Sequence, residues 1–182
     1  MRENVVAISR EINENINRNI IKFSGAMIFA FLTALGSAFR FYTPFTPVPI
    51  TMQVFFVLLS GAILGRYYGS LSQILYVGLG VAGISWFANP AALFGITGGY
   101  LIGFMVAPYI VGAFKEKNIM LAMLMGISVI YLFGVVQFYL ITSFPFSKVF
   151  MLAVAPFIGI DMAKVFAAAG VTKLIDGFHI RF

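Results

Sequence analysis

The chain has 182 residues, 61% of them hydrophobic and 10% charged, with a mean hydropathy of +0.99. A soluble domain is roughly half apolar and about a quarter charged, so this composition excludes a water-soluble fold and makes lipid the solvent. The sequence holds no cysteine, which excludes disulfides and thiol chemistry, and its net charge of +6 raises nucleic acid as a partner until the charges are placed.

The length fits one membrane domain over residues 1–182, with no separate soluble domain. Residues 1–19 are polar, but Val5, Ile8, Ile12, Ile16 and Ile20 recur at helical spacing. This predicts an amphipathic helix lying on the membrane surface. It is not a signal peptide, because its charged lead is long and further spans follow. Six apolar spans are expected across residues 20–175. The first covers 20–38. Pro44, Pro47 and Pro49 then hold 39–49 as an extended loop. The second span, 50–64, is short for a crossing, and a tight turn at 65–69 leads to a third that ends near 85. An uncharged loop over 86–95 carries Asn89-Pro90. The fourth span covers 97–114 and ends at Lys115-Glu116-Lys117; the fifth covers 119–142. A proline-broken connector over 144–155 leads to the sixth, from Pro156 to about 175. Starting this helix at Pro156 avoids an interior proline, whereas a start at Lys148 would put Asp161 at mid-membrane. Residues 176–182 form a tail. The apolar runs lack the period-two alternation of an outer-membrane strand, so the fold class is all-α.

Lysine and arginine set the orientation. With both termini in the cytoplasm, Arg2, Arg10, Arg18, Lys22, Arg66, Lys115, Lys117, Lys173 and Arg181 lie inside. Only Arg40 and Lys148 lie outside, a strong positive-inside bias. The basic charge therefore faces the inner lipid surface, and no nucleic-acid stripe is required. The three loops at 39–49, 86–95 and 144–155 all face outward, on the side where the sixth span begins.

Asp161 and Lys164 are the one acid and base that cannot be moved out of an apolar span. A charge in hydrocarbon costs several kcal/mol and persists only where it is paired or used. At i, i+3 the two share a helix face and can meet. Other chemistry is sparse. No Glu lies in a span, and the single histidine, His179, falls in the tail, so no metal cluster is expected. Thr97-Gly98-Gly99 lacks the lysine of a phosphate loop and opens toward the wrong side for ATP. Near the outer face remain Gln53, Tyr76, Asn89, Tyr100, Asp161 and Lys164, with Trp86, Phe87 and Phe94 beside them. Apolar walls with a few hydrogen-bonding groups suit a small, partly apolar ligand. Each residue also has a plain structural reading. Asp161 can satisfy a helix start, Asn89 can form a turn, and the tyrosines can belong to an interfacial belt. Ala26, Ala30, Ala34 and Ala38 repeat every four residues, as do Gly61, Gly65 and Gly69. Such stripes let backbones approach closely, either within the chain or against another membrane subunit.

Several motifs then occur together and in order. They are Pro47-Val48-Pro49-Ile50-Thr51-Met52-Gln53, Ser72-Gln73-x-x-Tyr76-x-x-Leu79-Gly80-x-x-Gly83, Phe87-Ala88-Asn89, Thr97-Gly98-Gly99-Tyr100-Leu101-x-Gly103-Phe104, and Pro156-Phe157 followed by Asp161-x-x-Lys164. Over about residues 40–170 the chain resembles the BioY family, the biotin-binding S components of energy-coupling factor transporters. It departs at Gly95-Ile96-Thr97, where the family commonly has Gly-Pro-Thr, and at Gly159-Ile160, where it often has Pro-Gly. The resemblance implies a multi-pass cell-membrane subunit that captures biotin from outside. Uptake would be powered by a transmembrane coupling subunit and a pair of cytoplasmic ATPases; the chain itself would be no enzyme and carry no cofactor. Biotin binding falls on Asp161, Lys164 and Asn89, with Gln53 and Tyr100 adding hydrogen bonds and Trp86 and Phe87 packing the apolar ring. Docking on the coupling subunit falls on Ala26, Ala30 and Ala34. The readings to be separated from this are an S component for another vitamin, a polytopic membrane enzyme and an assembly subunit without ligand.

Overall fold

The computed structural model describes residues 2–84 and 87–177. Trp86, and His179 and Arg181 of the tail, lie outside them. Helix α1 (Arg2–Ala38) is continuous over 37 residues, about 55 Å at 1.5 Å per residue. The boundary expected at residue 20 is absent. No proline, and no glycine before Gly25, interrupts the helix formers there, so the polar lead and the apolar span share one rod.

The loop expected over 39–49 is a hairpin, which corrects the all-α reading locally. Strand β1 (Arg40–Thr43) pairs antiparallel with β2 (Thr46–Thr51). In β2, Thr46, Val48 and Ile50 point inward, while Pro47 is exposed and Pro49 half-buried. Placing proline on alternate positions of a two-stranded edge removes only N–H groups that need no ladder partner. The period-two signal was present in Thr-Pro-Val-Pro-Ile-Thr but short enough to read as a proline loop.

Helix α2 (Gln53–Val81) is broken at Gly65, whose φ of 78° and ψ of 178° are not helical. The two halves fold back on each other. Gln53 Nε2 donates to the Tyr76 hydroxyl at 2.6 Å, although 23 residues of straight helix would separate them by about 34 Å. Gly61 and Gly69 meet across this bend. A Cβ at Gly69 would lie 2.8 Å from the Gly61 Cα, so the glycine stripe serves close internal packing. The short helix α3 (Pro90–Phe94) lies in the loop that follows. Helices α4 (Gly98–Phe114) and α5 (Ile119–Thr142) then run as an apolar pair. The connector expected at 144–155 contains α6 (Phe146–Ala153), and α7 (Ile158–Gly177) starts two residues after Pro156, bent 48° from α6. Asp161 thus sits in the first turn of α7.

Among the described residues, three helices are long and apolar enough to cross a membrane, or four if α6 and α7 form one bent span. The α2 halves and α4 are shorter apolar rods packed among them. Ala26, Ala30 and Ala34 are buried in the core that α1 forms with the rest of the chain, the first two with no exposure. α1 packs chiefly along α2. Covered in this way by the chain's own fold, the alanine stripe lets α1 lie close to α2.

Candidate functional site

The C-terminal end of α1, the hairpin, the first turns of α2, α4 and α7, and the loop around α3 converge at one end of the bundle. They enclose a cavity of about 370 Å³. That volume falls within the roughly 300–1,000 Å³ of small-molecule sites. Asp161, Lys164, Asn89, Tyr100, Gln53 and Phe87 all line it, so six residues dispersed from 53 to 164 are brought to one surface. The seventh, Trp86, lies outside the described residues.

Asp161 and Lys164 are both nearly closed to solvent, at 3% and 6% exposure. Lys164 Nζ donates to Asp161 Oδ1 at 2.6 Å and to the Thr51 carbonyl at 2.6 Å. Two of the three ammonium N–H groups are thereby engaged, which leaves one for a ligand. The other carboxylate oxygen, Oδ2, accepts from the Tyr131 hydroxyl at 2.8 Å. The carboxylate is thus held at both oxygens yet retains lone pairs, and a buried pair tied down in this way is fixed in position before a ligand arrives.

Gln53 donates to Tyr76 and accepts from the Thr51 hydroxyl at 3.1 Å, so its amide is used to orient. The buried Tyr76 hydroxyl accepts from Gln53 and also pairs with the Ser37 hydroxyl, which ties α2 to the end of α1. Tyr100 donates to the Ala153 carbonyl at 2.6 Å. What Tyr100 offers the cavity is its ring and hydroxyl oxygen, with its proton already used. Its ring fits because position 134 is glycine: a Cβ there would lie 2.5 Å from the ring. Asn89 caps α3, its Oδ1 accepting from the Ala91 N–H at 2.9 Å. Its amide nitrogen has no partner among the described residues, so it serves the loop and keeps donors for the cavity. Gln137 Nε2 donates to the Leu93 and Gly95 carbonyls at 2.7 and 2.8 Å, which ties the α3 loop to α5. Phe87 lies 6.1 Å from the Tyr76 ring, centroid to centroid, and forms an apolar wall.

Three contributors escaped the sequence reading. Tyr131 is one of a few polar tips in the apolar fifth span, with Ser128, Gln137 and Tyr139, and nothing in the sequence singles it out from them. Thr51 acts through its carbonyl, which no residue type announces. Arg40 was counted only as an outer charge, yet it lines the cavity.

Fold and site together define a helical membrane protein that encloses a small-molecule cavity at one end of its bundle. The chain belongs to the BioY family, whose model matches residues 11–178. It is 40% identical to a probable biotin transporter BioY of Pyrococcus horikoshii over 154 residues, covering 82% of this chain and 93% of that protein. It is 37% identical to the biotin transporter BioY of Thermotoga maritima over 163 residues, covering 84% and 92%. The fold matches the crystal structure of the S-component for biotin from an ECF-type ABC transporter with a TM-score of 0.80 at 19% identity, over 88% of this chain and 93% of that one.

Proposed function

We propose that this protein is the biotin-capturing S component of an energy-coupling factor transporter in the cell membrane. The observation that carries the reading is the buried Asp161–Lys164 pair, which lines a ligand-sized cavity in a BioY-family chain. Biotin's ureido ring has N–H donors and a carbonyl acceptor. Asp161 keeps acceptor capacity for a ureido N–H, and Lys164 keeps one N–H for the ureido oxygen or the tail carboxylate. Asn89 holds further donors, and Phe87 with the Tyr100 ring provides apolar walls. Trp86 completes the proposed set. A ligand that left these buried groups unpaired would be strongly penalised, which is how few contacts give selectivity against other vitamins.

In this reading the apolar rods α1, the two halves of α2, α4, α5 and α7 supply six crossings, with both termini cytoplasmic and the cavity end outside. The lysine and arginine bias supports that orientation. The chain holds the ligand and catalyses no reaction. ATP is consumed by a pair of cytoplasmic ATPases acting through a transmembrane coupling subunit.

Equilibrium binding to the purified protein tests the reading. Saturable binding of one biotin per chain, undisturbed by excess riboflavin or thiamine, is expected. Competition by either of those, or no biotin binding at all, would overturn it.

A further inference from the structure

Among the described residues, one charged side chain besides Asp161 and Lys164 lines the cavity, Arg40. It opens β1 and pairs in register with Thr51, the residue whose carbonyl accepts from Lys164. Arg40 and the buried ion pair are therefore anchored to the same rung of the hairpin. Arg40 Nε donates to the Ser37 carbonyl at 2.8 Å, which fixes the side chain and leaves both terminal NH₂ groups for a planar, two-pronged acceptor. No carboxylate among the described residues pairs with it.

Arg40 and the Asp161–Lys164 pair differ in charge and in wetness. The Asp161–Lys164 pair is buried and neutral as a unit, and its lysine is largely engaged. An anionic group placed there would lose its water and face the Asp161 carboxylate. At the exposed Arg40 it would keep part of its hydration and meet an unpaired guanidinium, the side chain best matched to a carboxylate.

We infer that Arg40 receives the carboxylate of the ligand at the cavity mouth, while the neutral hydrogen-bonding ring goes to Asp161 and Lys164. This rests on the biotin reading and deepens it. It sets the orientation of the ligand, assigns the last Lys164 N–H to the ureido oxygen, and makes a free carboxylate a requirement for tight capture.

The test compares biotin with its uncharged carboxamide by titration calorimetry, on the wild type and on Arg40→Gln, Arg40→Lys and Asp161→Asn. The wild type is expected to prefer biotin by about tenfold to a hundredfold, the size of one charge-assisted contact. In Arg40→Gln that preference should collapse toward one, and in Arg40→Lys part of it should return. Asp161→Asn should weaken both ligands together and keep the preference. If Arg40→Gln retains the wild-type preference, or weakens both ligands equally, Arg40 is no carboxylate receptor. A wild type that binds neither ligand would instead overturn the biotin reading on which the inference rests.

Discussion

At the scale of single residues, the site depends on one carboxylate held from two sides. Removing one member of a buried ion pair leaves its partner charged and uncompensated, at a cost of about 3–5 kcal/mol. Asp161→Asn is therefore expected to lower the unfolding temperature and weaken biotin binding by more than about tenfold. Adding Lys164→Met, which removes the stranded charge, should recover stability and leave binding impaired. Thermal unfolding and calorimetry on both variants separate the two effects. Tyr131→Phe deletes one donor to Asp161 Oδ2 and leaves the pair with Lys164 intact. A hydrogen bond to a charged group is worth about 1.5–3 kcal/mol, so biotin affinity should fall by roughly tenfold or more as the carboxylate loses its second support. Wild-type affinity in Tyr131→Phe would show that Lys164 alone positions Asp161.

At the scale of elements, small residues decide which rods touch. Gly65 holds φ at 78° in the bend that returns α2 on itself. A Cβ in that conformation is strained, so Gly65→Ala should cost about 1–2 kcal/mol of stability, read as a lower unfolding temperature with biotin affinity less affected. Ala30 has no exposure, and Ala30→Leu would overpack the core that α1 enters. About 1–3 kcal/mol of destabilisation is expected, visible in the isolated protein without any partner. An Ala30→Leu variant with wild-type unfolding would return the stripe to a docking role. The sequence showed that this stripe was smooth. It could not show which surface the stripe met, because small-residue spacing is the same for an internal and an external contact.

At the scale of the molecule, the six crossings proposed above, with both termini cytoplasmic, predict a definite topology. The chain has no native cysteine, so single-cysteine variants report position cleanly. Phe45→Cys at the hairpin tip should react with a membrane-impermeant maleimide on whole cells, and Lys117→Cys after α4 should react only once the membrane is opened. The reverse pattern would invert the orientation. The sequence by itself determined the membrane class, most of the apolar rods and the pairing of Asp161 with Lys164. Those follow from quantities that residue type alone carries: hydropathy over a window, proline's missing N–H, and the cost of charge in hydrocarbon. Only the tertiary structure decided that α1 is one rod, that 40–51 is a hairpin, that Tyr100 gives its proton to Ala153, and that Tyr131, Arg40 and the Thr51 carbonyl join the cavity. These depend on partners up to 113 residues apart and on backbone atoms common to every residue. No local pattern encodes them, so they appear only when packing brings the distant segments together.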